Sequence, residues 1–120
     1  MSKNQQCDFY KGLTMNKEIK KEYYENGQLN WEYEYLNGKP HGVSKGYYEN
    51  GELRSEREYL NDELHGVSKL YYENGQLEWE CEYQDGKKHG VSKEYYENGE
   101  LNWEDEYLNG ELIKRNFIIL

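Results

Sequence analysis

Short runs of alternating polar and apolar residues, separated by turn-forming dipeptides, recur along the chain at a fixed spacing. The pentapeptide YYENG ends at Gly27, Gly51, Gly75 and Gly99, so its copies are 24 residues apart. A period of about 20 to 50 residues is typical of one supersecondary unit stacked on copies of itself. The chain is therefore predicted to be a repeat protein that acts through an open surface rather than a pocket.

Each repeat contains two turn signals, Asn-Gly in YYENG and a second one at Asn37-Gly38. The second signal returns as Asn61-Asp62, Asp85-Gly86 and Asn109-Gly110. Asn-Gly between short strand-like runs is typical of a two-residue type I′ hairpin turn, because both central residues need positive φ. Two turns and two strands per repeat predict an all-β fold, an elongated single-layer antiparallel β-meander of tandem 24-residue hairpin repeats with about 8 to 10 strands.

Two-residue loops at both turns would define the strand register by counting outward. Around Asn50-Gly51 the predicted pairs are Tyr48–Leu53, Tyr47–Arg54, Lys45–Glu56, Val43–Glu58 and Gly42–Tyr59. Around Asn37-Gly38 they are Glu34–His41, Tyr33–Gly42, Glu32–Val43 and Trp31–Ser44.

Both countings predict the same two faces. The first, here called the aromatic face, contains Gly42, Ser44, Tyr48, Leu53 and Tyr59, with Trp31, Trp79 and Trp103 at equivalent strand positions. The second, the charged face, contains Val43, Lys45, Tyr47, Glu56 and Glu58. Small residues leave room for rings to lie over the backbone, so Tyr48 and its equivalents are expected to hold successive repeats together.

Composition narrows the class of partner. Only 35% of residues are hydrophobic, but 16% are aromatic, including fourteen tyrosines at regular positions, which favours a folded repeat over disorder. The formal net charge of -9 argues against nucleic acid or anionic lipid as a direct ligand and favours a basic partner. No signal-peptide or membrane-span pattern is evident, which predicts a cytoplasmic protein, and Cys7 and Cys81 are expected to be free thiols.

Two recurring sets of side chains raise the question of catalysis. His41, His65 and His89 would lie two strands apart, roughly 9.5 Å, which is too far to share a metal ion. The glutamates on the charged face repeat with every unit, whereas an active site is normally unique, and lysines are predicted opposite many of them. The sequence therefore indicates a non-enzymatic protein with no metal and no cofactor.

The motif YYENGxL, the strand that ends in Glu-Tyr, the Asn-Gly turn and the following HGVSK resemble the bacterial variant of the MORN repeat over residues 17 to 112. The resemblance implies a β-meander with a grooved aromatic face. Proteins of this bacterial type are often labelled antitoxin-like, and eukaryotic relatives are associated with membrane contact, scaffolding or dimerisation. The predicted organisation is a degenerate N-terminal strand or cap at 1–16, four repeats at 17–111, and a capping strand at 112–120 that could alternatively dock on a partner.

Positions that vary between repeats are not constrained by the repeated fold, so they are candidates for determining which partner binds. One such position holds Tyr33, Arg57, Cys81 and Asp105, although drift near solvent would produce the same variation. The predicted protein-binding residues are Trp31, Tyr33, Tyr48, Arg57, Tyr59, Trp79, Cys81, Tyr83, Trp103 and Asp105, with Glu56, Glu58, Glu80 and Glu82 on the charged face.

The function predicted from these features is an antitoxin- or immunity-type inhibitor that acts by protein–protein contact. Its partner would be a toxin, effector or nuclease with a basic surface. Two alternatives stay open, an acidic nucleic-acid mimic that inhibits a nucleic-acid enzyme, as some anti-CRISPR proteins do, and a structural scaffold or self-assembly module. Exposed sheet edges also allow a homodimer.

Overall fold

The computed structural model describes residues 5–10 and 13–117 of the protein, with side-chain placement for residues 16–116. Every regular element in these ranges is a strand, and none is a helix that could cross a membrane. The strands are β1 Gln5–Tyr10, β2 Leu13–Tyr23, β3 Leu29–Leu36, β4 Lys39–Pro40, β5 Gly42–Tyr47, β6 Leu53–Leu60, β7 Glu63–Leu64, β8 Gly66–Tyr71, β9 Leu77–Gln84, β10 Lys87–Tyr95, β11 Leu101–Leu108 and β12 Glu111–Phe117.

Ten of these strands follow one another across a single antiparallel sheet in chain order, and the two-residue strands β4 and β7 pair with β3 and β6 beside that path. The molecule measures 57 × 39 × 16 Å. A thickness of 16 Å fits one sheet with side chains on both faces, since two packed sheets would already be separated by about 10 Å between their backbones. The predicted single-layer β-meander is confirmed.

The ends of the sheet are strands β1 and β12. Strand β2 crosses the predicted boundary at residue 16, and β12 begins at Glu111 and pairs with β11, while its side chains Leu112 and Ile113 stay exposed. Parts of the predicted terminal caps, at 1–4, 11–12 and 118–120, lie outside the described residues. The division into 1–16, 17–111 and 112–120 stays a prediction.

The Asn-Gly turn at residues 37 and 38 has the predicted type I′ conformation. Asn37 has φ 52° and Gly38 has φ 79°, and Leu36 pairs directly with Lys39 across the two-residue loop. The equivalent turns repeat this conformation, including the one at Asn61 and Asp62, where a non-glycine residue adopts φ 74°. The edge of the sheet that carries these turns is called the NG edge.

The turn within YYENG is not the predicted two-residue loop. The Tyr48 amide donates to the Glu52 carbonyl at 2.8 Å, and the Gly51 amide donates to the Tyr48 carbonyl at 2.9 Å, which encloses three loop residues. Gly51 has φ 91°, whereas Asn50 has negative φ and accepts the Glu52 amide with its side-chain oxygen at 2.9 Å. This is a type I turn followed by a left-handed glycine, the geometry of a three-residue hairpin. The edge that carries it is called the ENG edge.

The extra loop residue changes the pairing next to the turn. Tyr47 pairs with Leu53 and Gly46 pairs with Ser55, so Arg54 forms a bulge, and the predicted pairs Tyr48–Leu53 and Tyr47–Arg54 are wrong. Beyond the bulge the strands return to the predicted register, because one added residue in the loop is matched by one added residue in the strand. The more distant predicted pairs, Lys45–Glu56, Val43–Glu58 and Gly42–Tyr59, are confirmed.

A second correction lies between β3 and β5. Trp31 pairs with Gly46 and Glu32 pairs with Lys45, two residues away from the predicted partners Ser44 and Val43. The predicted pair Tyr33–Gly42 is displaced with them, as the equivalent pair Cys81–Ser92 shows, although the His41 amide does donate to the Glu34 carbonyl at 3.0 Å. The chain turns aside at Gly42, where φ is 91° and a Cβ would overlap the Glu34 carboxylate. A shift of two residues keeps each side chain on its predicted face.

Successive repeats are joined by hydrogen bonds at both edges. On the ENG edge the hydroxyls of Tyr24, Tyr48 and Tyr72 donate to the carbonyls of Tyr47, Tyr71 and Tyr95 at 2.5, 2.5 and 2.7 Å. On the NG edge the amides of Asp62, Gly86 and Gly110 each donate at 2.9 Å to the carbonyls of Pro40, Leu64 and Lys88. The expected role of Tyr48 in holding repeats together thus takes the form of a hydrogen bond at the sheet's edge.

Small residues are buried along the middle of the sheet, under the rings of their neighbours. Among the described side chains, Cys81 is the one hydrophobic residue that is fully buried; the buried polar ones are Ser44, Ser55, Ser68, Ser92 and Asp105. At Gly46 a Cβ would lie 2.8 Å from the Trp31 ring and 2.7 Å from the Ser55 hydroxyl. Ser55 therefore replaces tryptophan in the second repeat because the Trp31 ring occupies this space.

Candidate protein-binding face

The aromatic face consists of three rows that run across the strands. Residues directly opposite each other in neighbouring antiparallel strands share a face, so the register defines each row. The tryptophan row, nearest the ENG edge, is Glu22, Trp31, Gly46, Ser55, Leu70, Trp79, Glu94 and Trp103. The middle row includes Tyr33, Arg57, Cys81 and Asp105, and the tyrosine row, nearest the NG edge, is Tyr35, Tyr59, Tyr83 and Tyr107.

Ring contacts give the first repeat a continuous aromatic surface. The Trp31 and Tyr33 rings stack at 5.7 Å between centroids with 16° between their planes, and Tyr33 and Tyr35 follow at 6.2 Å. Toward the other end of the sheet, Trp103 is 37% exposed. Large amphipathic rings are the side chains most enriched in the centres of protein interfaces.

Basic side chains of the chain itself lie over several of these rings. The distances to ring centroids are 4.7 Å for Lys20 Nζ over Tyr35, 4.9 Å for Arg54 Cζ over Trp31, and 5.8 and 4.8 Å for Lys88 Nζ over Trp79 and Tyr107. All lie within the ~6 Å range of a cation–π interaction. The aromatic face therefore already binds cations within the chain.

The variable middle row differs sharply in accessibility along the sheet. Tyr33 and Arg57 are half-buried and accessible, whereas Cys81 is 1% exposed and Asp105 is 4% exposed. Burial raises the pKa of the Cys81 thiol, which lies between Ser68 and Ser92. The Asp105 carboxylate accepts two hydrogen bonds from Arg115, at 3.0 Å from Nε and 3.3 Å from Nη2. A partner would meet the rings around Cys81 and Asp105 rather than these side chains.

The other predicted contact residues on this face divide into two groups. Trp31, Trp79, Tyr59 and Tyr83 are half-buried and form part of the three rows. Tyr48 lies at the ENG edge, where its hydroxyl is engaged with the next repeat. Burial raises the pKa of Tyr33 and of Tyr83. Tyrosine is neutral near pH 7 without any such shift, so both phenols can donate a hydrogen bond there.

The charged face alternates in sign along its central row. Glu32, Lys45, Glu56, Lys69, Glu80 and Lys93 lie opposite one another in successive strands. The neighbouring row pairs Glu58 with Val43 and Glu82 with Val67, and both glutamates are exposed. The structure thus separates the predicted glutamates into a row matched with lysines, which includes Glu56 and Glu80, and an exposed acidic row, which includes Glu58 and Glu82.

The three histidines lie beside the NG edge rather than in a cluster. The His41 and His65 amides donate to the carbonyls of Glu34 and Glu58, at 3.0 and 2.9 Å, and the His41 Nδ1 accepts the Asn61 amide at 3.4 Å. In the described part of the chain no three His, Cys, Asp or Glu side chains are placed to hold one metal ion.

Sequence reasoning missed the second residue after each of the first three NG turns. This position holds Pro40, Leu64 and Lys88, and it pairs with the tyrosine row at Tyr35, Tyr59 and Tyr83. When the repeats are aligned at their 24-residue spacing, this position varies from proline to leucine to lysine, just as the middle-row position varies. The predicted two-residue loop already pairs this position with the tyrosine row, but the alternation alone does not indicate that the space between successive tyrosines depends on it.

Comparison with known proteins identifies the repeats. The family model described as the MORN repeat variant matches residues 40–61, 64–85 and 88–109, which leaves out the first predicted repeat. No curated protein matches the chain. Three chains of solved structures match it, among them the crystal structure of a mutant S. aureus TarM in complex with Fondaparinux, alpha-GlcNAc-glycerol and UDP, at 12% identity and a TM-score of 0.47. That match covers 94% of this chain and 22% of that chain.

Proposed function

Because the chain belongs to the family of MORN repeat variants, whose repeats generally mediate binding to proteins or membranes, we propose that it is a non-enzymatic module that binds a protein partner. The observation that carries this proposal is the open aromatic face. Its three rows contain tryptophan, tyrosine and arginine, the residues that dominate protein-interface hot spots. A sheet one layer thick presents them to a partner without any rearrangement of the chain.

The partner in this proposal is a basic protein, and the chain acts as an antitoxin- or immunity-type inhibitor in the cytoplasm. The net charge of -9 accelerates encounter with a positively charged surface. The exposed acidic row of Glu58 and Glu82 adds to this field, and the aromatic face supplies apolar area that salt does not screen. A toxin, effector or nuclease with a basic active-site surface fits these two properties.

Mimicry of nucleic acid is the competing proposal, and the exposed acidic row is what favours it. Equivalent glutamates two strands apart are separated by about 9.6 Å, which is wider than the ~3.4 Å rise per phosphate of one DNA strand. The row therefore resembles a nucleic-acid strand in the sign of its charge but not in the spacing of its charges. The two proposals place the contact on opposite faces of the sheet, so variants of each face distinguish them.

The experiment is affinity capture, at low and high salt, from cells that produce the protein naturally, followed by a purified binding assay with the captured partner. The aromatic-face variant is Trp103→Ala with Arg57→Gln, and the charged-face variant is Glu56→Gln, Glu58→Gln, Glu80→Gln and Glu82→Gln. We expect the first variant to lose capture and the second to retain it at high salt. Loss in the charged-face variant alone would support mimicry instead, and circular dichroism would check that both variants fold.

A further inference from the structure

The tyrosine row contains three gaps between successive repeats, bounded by Tyr35 and Tyr59, by Tyr59 and Tyr83, and by Tyr83 and Tyr107. Each gap is bordered by one middle-row residue and by the second residue after the NG turn. These residues are Tyr33 and Pro40 in the first gap, Arg57 and Leu64 in the second, and Cys81 and Lys88 in the third. Three equivalent sites in one chain therefore differ only in these two positions.

The second and third gaps each contain a basic side chain of the protein itself. In the third gap, Lys88 Nζ lies 4.8 Å from the Tyr107 ring centroid. In the second, Arg57 precedes Tyr59 by two positions on the same face, and its positive charge acts on Tyr83. Burial raises the pKa of Tyr83, and the positive charges of Lys88 and Arg57 act in the opposite direction. The gap between two tyrosines is thus a place where this fold puts a cation.

The first gap has the rings but lacks the cation. Tyr33 occupies the position of Arg57, and Pro40 occupies the position of Lys88, which leaves a cavity of about 120 Å³. The cavity is lined by Tyr33, Glu34, Tyr35, Pro40, Ser44 and Tyr59, none of which is basic. Lys20, whose Nζ lies 4.7 Å from the Tyr35 ring centroid, belongs to β2, which pairs with β3 on the side away from the cavity.

We propose that this cavity receives one arginine or lysine side chain of the partner protein. The inference rests on the proposed function and names the chemistry that the partner must present. Three tyrosine rings line the cavity; aromatic ring faces attract a cation, and a guanidinium also stacks on them. The volume of 120 Å³ is about four times the ~30 Å³ that one water occupies in the liquid, room for a head group of several heavy atoms.

The test uses a small probe and the full chain. N-acetyl-arginine amide is titrated against the protein while NMR follows the ring protons of Tyr33, Tyr35 and Tyr59. N-acetyl-citrulline amide, which has nearly the same shape but no charge, is the matched ligand. We expect saturable shifts confined to these rings and at least about tenfold weaker binding of the citrulline compound, because the ring quadrupole attracts only the cation strongly.

Two variants place the interaction in the first gap. Pro40→Lys copies Lys88 into the cavity and is expected to abolish binding of the arginine probe, because the chain's own cation then occupies the site. Leu64→Lys makes the same kind of change one repeat later and is expected to leave the probe's affinity unchanged. Tyr33→Arg, which copies Arg57, fills the cavity from the other side and replaces Pro40→Lys if that variant does not fold.

Equal binding of the citrulline compound, or unchanged binding of the arginine probe to Pro40→Lys, would overturn the inference. Equal binding would mean that the cavity selects an uncharged group, such as an apolar side chain or a sugar. The cavity assignment can fail without the proposed function failing. If capture of the partner is lost in the Trp103→Ala and Arg57→Gln variant but not in Pro40→Lys, the binding module stands and the cavity assignment fails. If neither variant affects capture, the proposed function itself is wrong.

Discussion

The two edges of the sheet join the same repeats by different chemistry. On the ENG edge the link is a side chain, since the Tyr48 hydroxyl donates to the Tyr71 carbonyl in the next repeat at 2.5 Å. On the NG edge the link is the main chain, since the Gly86 amide donates to the Leu64 carbonyl at 2.9 Å. A side-chain link demands one residue type at one position, whereas a main-chain link accepts any residue that can adopt the turn.

This difference explains which parts of the repeat are constant within the chain. YYENG is identical in all four copies. Its second tyrosine makes the link in the first three copies, and its asparagine and glycine build the turn. The NG-edge turn reads Asn-Gly, Asn-Asp or Asp-Gly, and the residue that pairs with the tyrosine row changes from Pro40 to Leu64 to Lys88. The constant edge therefore carries stability, and the variable edge is free to carry specificity.

High pH should have the largest effect on the difference between the two edges. The tyrosine hydroxyls that link repeats at the ENG edge can ionise, whereas the main-chain amides that link them at the NG edge cannot. Burial raises the pKa of Tyr48 and Tyr72, as it does for Tyr33, Tyr83 and Tyr95. The folded pKa lies above the unfolded value of about 10, so this stability is complete below pH ~10 and is lost as the pH rises through the folded pKa. Thermal unfolding followed by circular dichroism, with tyrosinate absorbance, should show Tm falling as tyrosines ionise. A Tm independent of pH up to ~11 would contradict the sign of these shifts.

Removing hydroxyls on the ENG edge should have the next largest effect. The double variant Tyr24→Phe with Tyr48→Phe loses two inter-repeat hydrogen bonds and keeps both rings, so the free energy of unfolding should fall by about 1–3 kcal/mol. Urea denaturation measures it. Tyr23→Phe, at a side chain that is 60% exposed, is the control and should change stability by less than ~0.5 kcal/mol. A double variant as stable as the parent would show that these bonds only replace bonds to water.

Replacing asparagine by glycine in each kind of turn should show that the two asparagines have different structural roles. Asn98→Gly removes the side-chain oxygen that accepts the Glu100 amide at 2.9 Å, so it should cost about 0.5–1.5 kcal/mol. Asn109→Gly, where φ is 50°, replaces a residue in the left-handed region by the one that prefers it, and should stay within ~0.5 kcal/mol of the parent. Equal losses in urea denaturation would mean that both asparagines serve the same role.

The smallest effect should be a gain at the NG edge. Asp62 has φ 74° at the position where the other three turns have glycine. Asp62→Gly should relieve this backbone strain and raise the free energy of unfolding by less than ~1 kcal/mol, while Asp62→Ala should lower it by about 1 kcal/mol. A lower stability of the glycine variant in urea denaturation would indicate that the Asp62 side chain has a structural role of its own.

Much of the fold was predictable because strand patterns are local. Asn-Gly and the period-two alternation predicted the strands and both faces, and Lys45–Glu56 and Gly42–Tyr59 pair as counted. The turn at Asn50-Gly51 was predicted wrongly, because a glycine with positive φ fits both a two-residue loop and the third position of a three-residue loop. The dipeptide does not distinguish them; the hydrogen bond that the Glu52 amide donates to the Asn50 side-chain oxygen does.

The candidate site was predictable as a face but not as a set of contacts. The alternation placed Trp31, Trp79 and Trp103 together, and they share one row. The cation–π contact of Arg54 with Trp31 depends on the bulge at Arg54 and on the two-residue shift between β3 and β5. A shift of two residues leaves faces unchanged but exchanges cross-strand neighbours, whereas a one-residue bulge also changes the face of the residues beside it.

The sequence by itself determined the period, the repeat unit, the strands and the face of most side chains, because these follow from local backbone preference and from an alternation that even-numbered shifts preserve. The exceptions are at the bulge, where Leu53 pairs with Tyr47 of the charged face and Arg54 lies over the Trp31 ring of the aromatic face. Only the tertiary structure decided which residues meet across strands. It is there that Cys81 and Asp105 are buried, that Tyr48 reaches the next repeat, and that the first gap of the tyrosine row stays open. Such contacts depend on the sum of all turns and bulges between two strands, and no local pattern records that sum.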